Sequence, residues 1–221
     1  MAAGSGRRFG GEKQFHVLNG RPLLAWPLRT FEKTPGIDEV VLVVAKERVG
    51  WARRFVNRSG FKKVAAVVPG GRERADSVRA GLAAVSSKRR VVLIHDAARA
   101  LVSRDIVERV IVAARRSGAA LAARPVADTV KRAVPKGDRF IVKQTLPRSG
   151  LWLAQTPQGF RGEVAHRIAP RLSSHLTDDV QAAERLGIPV EIVLGSARNF
   201  KVTVPEDFAL CRDLFIRSKG K

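Results

Sequence analysis

The chain has 221 residues, enough for one α/β domain with a full hydrophobic core. A hydrophobic fraction of 45% excludes a disordered composition. No apolar run approaches the ~18 residues that a membrane helix needs, and the amino terminus lacks the apolar core of a signal peptide. Cys211 is the single cysteine, which excludes an intrachain disulfide. We therefore expect a cytoplasmic protein without a membrane partner.

Charge is the unusual property of this sequence. The chain carries 41 Lys and Arg against 20 Asp and Glu, a net charge of +21. Such a balance is typical of nucleic-acid-binding proteins and of enzymes for phosphorylated substrates. The basic residues come mostly in pairs, no stacking aromatics lie between them, and the chain has no Tyr. This favours a basic surface that attracts small anions, and we expect no nucleic-acid partner.

Short β-branched runs alternate with amphipathic stretches, which predicts a mostly parallel sheet covered by helices. Strands are predicted at Val40–Val44, Val64–Val68, Val91–Ile94, Ala119–Arg124 and Val190–Leu194. Helices are predicted at Leu23–Glu32, Arg74–Val85, Asp105–Arg116, Gly162–Ile168, Asp178–Leu186 and Glu206–Arg217. No linker or repeat interrupts this alternation, so residues 1–221 are expected to form a single domain.

One segment, at about residues 128–148, departs from the alternation. Asp128–Val134 and Arg139–Thr145 are strand-like and flank Pro135-Lys136-Gly137-Asp138, a turn-type tetrapeptide. The segment predicts an inserted β-hairpin arm with Thr129 and Arg148 facing one another near its base. An isolated hairpin is too small to bury a core of its own. We expect the arm to mediate dimerisation.

The first fifteen residues are rich in glycine and basic side chains. Ala2-Ala3-Gly4-Ser5-Gly6 would let backbone N–H groups approach a polyanion, and Arg8 and Lys13 could neutralise its charge. The spacing fits neither a dinucleotide fingerprint nor a P-loop. The segment predicts a cradle for a nucleoside triphosphate, and a surface arginine and lysine are the alternative.

Two further positions are candidates on their own residues. Asp96 follows the predicted strand Val91–Ile94, at the edge where open α/β sheets bind ligands, and could hold Mg²⁺ and substrate or simply cap a helix. Thr177, before Asp178-Asp179, is a good N-cap residue.

Five ordered segments together resemble the cytidylyltransferases that act on sugar-alcohol phosphates, and within them those specific for methylerythritol 4-phosphate. The segments span essentially the whole chain: Ala2–Gly6 with Arg8 and Lys13-Gln14-Phe15, Gly70–Val78, His95–Arg99, Gln155–Gln158 and Asn199–Asp207. The resemblance implies a Rossmann-like three-layer nucleotidyltransferase fold. It also implies a homodimeric enzyme of non-mevalonate isoprenoid biosynthesis that uses CTP, a sugar-alcohol phosphate and Mg²⁺ or another divalent cation.

The resemblance also implies roles for individual residues. Arg8, Lys13, Arg148 and Lys201 would be catalytic, and Asp96 would hold the metal. The residues implied for CTP are Ala2, Ala3, Gly4, Gly6, Gly71, Arg74, Ser77 and Ala97. The residues implied for the sugar-alcohol phosphate are Asp96, Thr129, Arg148 and Thr177, with those of the arm presented by the neighbouring subunit.

The sequence departs from this family's pattern at three points. The segment between Arg8 and Lys13 is short, with Glu12 where proline is usual, and Ala100 replaces another proline. The first strand of the resembled fold is apparently missing ahead of Ala2, which would leave neighbouring strands unpaired. The alternatives are a ribitol 5-phosphate cytidylyltransferase and, more distantly, a basic nucleic-acid-binding protein without catalysis.

Overall fold

The computed structural model describes residues 1–4, 6–86 and 89–219. Its strands are β1 (Val17–Leu18), β2 (Arg21–Pro22), β3 (Val40–Val44), β4 (Val64–Pro69), β5 (Val91–Ile94), β6 (Ala119–Pro125), β7 (Val130–Lys136), β8 (Arg139–Leu146), β9 (Trp152–Arg161) and β10 (Val190–Leu194). Its α-helices are α1 (Ala25–Glu32), α2 (Val49–Ser59), α3 (Arg74–Ala84), α4 (Arg104–Ser117), α5 (Gly162–Ile168), α6 (Val180–Glu184) and α7 (Pro205–Lys219). Short 3₁₀ turns join several of them.

The central strands form two sheets within the described residues. One has the order β10-β6-β9-β5, and the other pairs β3 with β4. β10 runs parallel to β6 and β3 runs parallel to β4, whereas β9 is antiparallel to both β5 and β6. The predicted mostly parallel α/β architecture is confirmed, with β9 as the strand of opposite direction.

Helices cover the four-stranded sheet on both faces and give three layers. Phe160 of β9 is fully buried against apolar residues of α3, α5 and α6 on one side. On the other side α4 packs Val107 and Val110 against the small residues Ala120 and Ala122 of β6. The alanine-rich β6 lets α4 approach closely, because its side chains add little height above the pleat.

The predicted strands lie where β3, β4, β5, β6 and β10 are found, within one residue at each end. Helix α2 was not predicted, although Trp51, Ala52, Phe55 and Val56 follow helical spacing before Gly60. Strand β9 was not predicted either. Its polar stretch with Pro157 has the composition of a loop, yet it lies buried inside the sheet.

The hairpin arm is present as β7 and β8, paired antiparallel from Val130↔Leu146 to Lys136↔Arg139. The turn is tighter than predicted, since pairing continues up to Lys136. Nearly every residue of the two strands is exposed, and Phe140 is 77% exposed. The arm therefore packs against very little of its own chain.

Met1 and Ala2 lie between β5 and β3. Ala2 forms an isolated parallel bridge with Val44, and its N–H donates to the carbonyl of Val43 at 2.7 Å. Met1 donates to His95 O at 2.7 Å and accepts from Ala97 N at 2.9 Å. The cores of β3–β4 and of the four-stranded sheet thus meet at these two residues.

In the described part of the chain, no helix is long and apolar enough to cross a membrane.

Candidate active site

Asp96 lies at the carboxyl end of β5, at the centre of a cluster of charged side chains. Its Oδ2 is 2.8 Å from Lys201 Nζ, and its Oδ1 is 3.6 Å from a terminal nitrogen of Arg74. Burial would raise the pKa of Asp96, but the adjacent cations Lys201 and Arg74 outweigh burial and hold it well below its ordinary value. Asp96 is therefore a permanent anion with positive charge on two sides.

Arg74 is held by a second carboxylate. Its two terminal nitrogens donate to the two oxygens of Asp179 at 2.5 and 2.7 Å, and the side chain of Asp179 is only 2% exposed. Gln158 Oε1 accepts from the N–H of Asp179 at 2.9 Å and orients the segment that carries it. A bidentate pair of this kind fixes the direction of the guanidinium as well as its position.

The glycine-rich loop requires glycine at position 6. Gly6 has φ of +66°, and a Cβ there would lie 1.7 Å from the carbonyl oxygen of Gly11. Gln14, which is buried, holds the loop from beneath by donating to Ala2 O at 2.9 Å and Gly4 O at 3.0 Å. The sequence motif contained Gln14, but sequence reasoning assigned it no role.

Lys13 stands close to the cluster around Asp96. Burial lowers its pKa, and the nearby cations Lys201 and Arg8 lower it further. The short segment before it is stabilised by Glu12, whose carboxylate accepts from Arg48 Nε at 2.7 Å. The geometry therefore brings Arg8, Lys13 and Lys201 to the same edge of the sheet, where an anion would relieve their mutual repulsion.

The Gly70-Gly71 turn lies against the glycine-rich loop. A Cβ on Gly70 would come within 2.5 Å of Ala3 Cβ, so the two loops are in contact. The N–H of Gly71 donates to the buried Ser77 hydroxyl at 3.1 Å. Ala97 is buried and donates to Met1, as described above. The residues implied for CTP thus line the glycine-rich loop, the Gly70-Gly71 turn and the start of α3, with Ala97 on the segment after β5.

A buried network supports Asp96 from β9. The Thr156 hydroxyl accepts from the N–H of Asp96 at 3.1 Å and lies 3.0 Å from His95 Nδ1. Burial lowers the pKa of His95 to about 3, so the imidazole is neutral. Asn199 donates to Thr156 O at 2.9 Å and joins Lys201's segment to the same strand. Thr156 and Asn199 belong to two of the five family-like segments, but their spacing alone does not predict that they support Asp96.

The candidate residues of the arm lie apart from this cluster. Arg148 donates to the carbonyl of Ala127, which places it at the base of the arm, and both Arg148 and Thr129 are exposed. Among the described residues, no hydrogen bond or ion pair joins Thr129 or Arg148 to Asp96, Arg74 or Lys201.

The expected capping role of Thr177 is wrong. Helix α6 begins at Val180, and its first N–H groups are met by other side chains: Asp178 Oδ1 accepts from Gln181 N at 3.1 Å. The helix starts late because Asp179 is drawn toward Arg74 and Gln158. Thr177 is exposed, and its own N–H donates to Gln181 Oε1 at 3.1 Å.

The donor set fits a divalent cation only in part. Among the residues that the structure describes, no group of three or more His, Cys, Asp or Glu side chains could hold a metal ion. Asp96 is the carboxylate at the centre of the site. Mg²⁺ is commonly bound through one or two carboxylates together with substrate phosphates and water, so Asp96 fits as the protein's ligand to a nucleotide-borne cation.

An α/β sheet whose edge carries a glycine-rich loop, convergent cations and one central carboxylate defines a nucleotidyltransferase. The family model for 2-C-methyl-D-erythritol 4-phosphate cytidylyltransferase matches residues 1–217. The chain belongs to this family, whose members are cytidylyltransferases.

Individual relatives agree with the family model. The chain is 42% identical to "2-C-methyl-D-erythritol 4-phosphate cytidylyltransferase" of Syntrophus aciditrophicus, over 100% of this chain and 95% of the relative. It is 46% identical to "Bifunctional enzyme IspD/IspF" of Desulforudis audaxviator, over 97% of this chain but 55% of that protein. The crystal structure of the Thermus thermophilus enzyme superposes with a TM-score of 0.73 at 37% identity, covering 96% of this chain and 95% of the other.

Proposed function

We propose that the protein transfers CMP from CTP to 2-C-methyl-D-erythritol 4-phosphate, releasing pyrophosphate, in non-mevalonate isoprenoid biosynthesis. The observation that carries this proposal is the convergence of Lys13, Lys201 and Arg74 on Asp96, with Arg8 close to Lys13, beside a glycine-rich loop in a chain of this family.

The proposed reaction is an in-line displacement at the α-phosphorus of CTP. A phosphate oxygen of the acceptor forms the new P–O bond, and the bond to the pyrophosphate oxygen breaks. Arg8 and Lys13 would stabilise the charge that builds on the α-phosphate oxygens, and Lys201 would orient the attacking phosphate. These roles suit the three residues because an anion placed among them needs no reorganisation of the protein.

The glycine-rich loop and the Gly71 turn are proposed to hold the nucleotide. Backbone groups of Ala2, Ala3, Gly4 and Gly6 would meet the triphosphate. Cytosine and ribose would lie against Gly71, Arg74, Ser77 and Ala97, where Asp179 fixes the direction of Arg74.

A divalent cation is proposed to accompany CTP, with Asp96 as its protein ligand. When bound, it would neutralise charge on the phosphate oxygens. Asp96 serves this role because its depressed pKa keeps it ionised. It would also help position the acceptor, and Thr177 is a further candidate contact for that substrate.

The second half of the acceptor site is proposed to come from a second copy of the chain through the hairpin arm. Arg148 suits a phosphate because a guanidinium donates two parallel hydrogen bonds, and Thr129 also lies at the base of the arm. The arm displays Phe140 and Val142 to solvent, at 77% and 57% exposure, and a two-stranded hairpin needs a partner surface. We therefore propose a homodimer in the cytoplasm, and the buried thiol of Cys211 is compatible with a reducing compartment.

The experiment is pyrophosphate release from CTP with purified protein, with and without methylerythritol phosphate and Mg²⁺. Release that requires all three would support the proposal, and no acceptor-dependent release from a folded protein would contradict it. Competition with ribitol 5-phosphate in the same assay decides between the two acceptors. DNA or RNA binding that persists near physiological salt without CTP turnover would favour the nucleic-acid alternative.

A further inference from the structure

An ion pair between Arg48 and Glu12 joins the end of β3 to the loop that carries Lys13. Arg48 ends the 3₁₀ turn Lys46–Arg48, which follows β3 and leads directly into α2. Its Nε donates to Glu12 Oε2 at 2.7 Å, and its Nη2 donates to the same oxygen. Hydrogen bonds between two charged groups are stronger than neutral ones. The ion pair therefore ties the loop to a strand of the sheet.

Arg48 also contacts the far end of the turn that contains Lys13. Residues Lys13–Phe15 form this 3₁₀ turn, and the guanidinium carbon of Arg48 lies over the Phe15 ring, 5.0 Å from its centroid. A cation over an aromatic face is attracted to it. Phe15 in turn packs edge-to-face with Trp51 of α2, with the ring centroids 5.0 Å apart. Arg48 thus holds the residue before Lys13 and the residue two positions after it.

The backbone on either side of Lys13 is held by further bonds. The buried side chain of Gln14 donates to two carbonyls of the glycine-rich loop. Lys13 N donates to Gly11 O at 2.8 Å, and Phe15 N donates to Glu12 O at 3.0 Å. The backbone of Lys13 is therefore restrained on both sides, while its ammonium group stays close to the charged cluster of the site.

The ion pair also neutralises a negative charge beside the proposed phosphate cradle. Glu12 is next to Lys13 in sequence, and its side chain is 29% exposed. Without Arg48, this carboxylate would repel the phosphates of a nucleotide and compete with them for Lys13. Arg48 comes from outside the cluster, so it neutralises Glu12 without taking a cation from the site.

We propose that Arg48 is a positioning residue for the transfer reaction. Acting through Glu12 and Phe15, it holds Lys13 where the charge of the transition state develops. This inference rests on the proposed function, which gives Lys13 its role. A misplacement of about 1 Å in an active site can lower a rate about 10²-fold. The Arg48 side chain is 43% exposed, and ion pairs of this exposure contribute little to overall stability, so removing the pair should change catalysis with little change in folding.

The backbone of Glu12 allows the restraint to be restored without an ion pair. Its φ is −74°, close to the value of about −65° that a proline ring imposes. Among the described residues, the N–H of Glu12 donates no backbone hydrogen bond that proline would remove. The preceding residue is Gly11, and glycine tolerates the restriction that proline places on its neighbour. Glu12→Pro would therefore stiffen the loop and remove the carboxylate together, whereas Glu12→Gln removes only the charge.

The test measures kcat and KM for acceptor-dependent pyrophosphate release. Arg48→Met should lower kcat about tenfold through the lost restraint and raise KM for CTP about threefold through the unpaired carboxylate. Adding Glu12→Gln to Arg48→Met should restore KM but not kcat. Adding Glu12→Pro instead should restore both to within about twofold of wild type. Arg104→Met, which breaks an ion pair with Glu108 on α4, is the control and should keep wild-type kcat and KM.

Two further measurements separate positioning from a purely structural effect. In a Lys13→Ala background, Arg48→Met should lower kcat by less than about twofold, because the group that it positions is already absent. The amides of Phe15 and His16 donate to the carbonyls of Glu12 and Lys13 and close the turn. Their hydrogen exchange should become about fivefold faster in Arg48→Met and return toward wild type when Glu12→Pro is added.

An unchanged kcat in Arg48→Met would overturn the proposal. A full tenfold loss in the Lys13→Ala background would also overturn it, as would recovery of kcat by Glu12→Gln equal to that by Glu12→Pro, since the effect would then be one of charge alone. A folded wild-type protein that releases no pyrophosphate from CTP contradicts the proposed function instead. Exchange at Phe15 and His16 then tests the restraint by itself, and equal rates in Arg48→Met and wild type would refute it.

Discussion

The cluster around Asp96 and the hairpin arm are opposite kinds of surface. Around Asp96, side chains from β5, α3 and the segment before α7 are held by bidentate pairing and buried hydrogen bonds. On the arm, Arg148 and Thr129 are exposed and touch little beyond the hairpin itself. The difference teaches that, if the proposed roles hold, one chain preorganises the half of the site proposed for the nucleotide and leaves the half proposed for the acceptor to be completed by a second chain. A half that is already ordered needs no ordering free energy when substrate binds.

Loss of a cation at the ordered half gives the largest expected effect. Arg8→Ala and Lys13→Ala should each lower kcat about 10²–10³-fold, because each removes a fixed stabiliser of transition-state charge. Lys46→Ala, at an exposed position in a neighbouring turn, is the matched control and should keep near-normal activity. Steady-state pyrophosphate release measures all three. Loss of activity in the control equal to that in Lys13→Ala would refute the role of Lys13.

The bidentate pair makes the ordered half costly to disrupt. Arg74→Met should lower the free energy of unfolding by about 3 kcal/mol, because it leaves the buried carboxylate of Asp179 without its counter-ion. Arg79→Met is the control, since its partner Asp76 is about one-third exposed, and should cost no more than about 1 kcal/mol. Urea denaturation measures both. Equal losses would show that the burial of Asp179 has no energetic consequence.

The buried amino group of Met1 predicts a pH dependence of stability. Its pKa is about 6 in the folded chain and 8.0 when unfolded, so the unfolded state binds the proton more tightly. Stability should therefore fall by about 1.5 kcal/mol between pH 8 and pH 6.5. The pKa of His95 is also lowered from its ordinary value of 6.5, so His95 reduces the stability mainly below pH 6.5.

Acetylation of the amino terminus provides the control for this prediction. The acetylated chain has no amine to titrate at Met1, so its stability should change little between pH 8 and pH 6.5. The same slope in both forms, measured by urea denaturation at several pH values, would assign the effect to another group.

Substitutions on the hairpin arm should change self-association of the chain. Phe140→Lys on the arm should weaken self-association about tenfold or more, since it places a charge on an apolar surface. Val112→Lys, an exposed apolar residue on α4, should leave it unchanged. Sedimentation across a concentration series measures the dimer constant. An identical shift in both variants would argue against the arm as the contact.

The sequence predicted the ordered half unevenly. Strands such as β3 and β5 were predicted because local β-branched runs are read directly from composition. The pairing of Arg74 with Asp179 could not be predicted, because 105 residues separate them and no local pattern records which cation meets which carboxylate. Strand β9 was not predicted for a related reason. Its Thr156 and Gln158 are polar residues typical of loops, and the buried groups to which they hydrogen-bond lie far away in sequence.

The hairpin arm, in contrast, could be predicted from its own local sequence. Its alternation and turn predicted a hairpin correctly, because a hairpin depends on neighbours in sequence. What lies against its apolar face depends on another surface and is absent from any local pattern.

The central claim is that each active site combines the Asp96 cluster of one chain with the arm of another, and subunit mixing tests it most directly. Lys13→Ala and Arg148→Ala chains, each nearly inactive alone, are mixed and allowed to exchange subunits. Random pairing makes half of the dimers mixed, and one of the two sites in each is intact, so activity should recover to about a quarter of wild type. Activity no greater than the sum of the two separate variants, in a mixture shown to contain mixed dimers, would contradict the account.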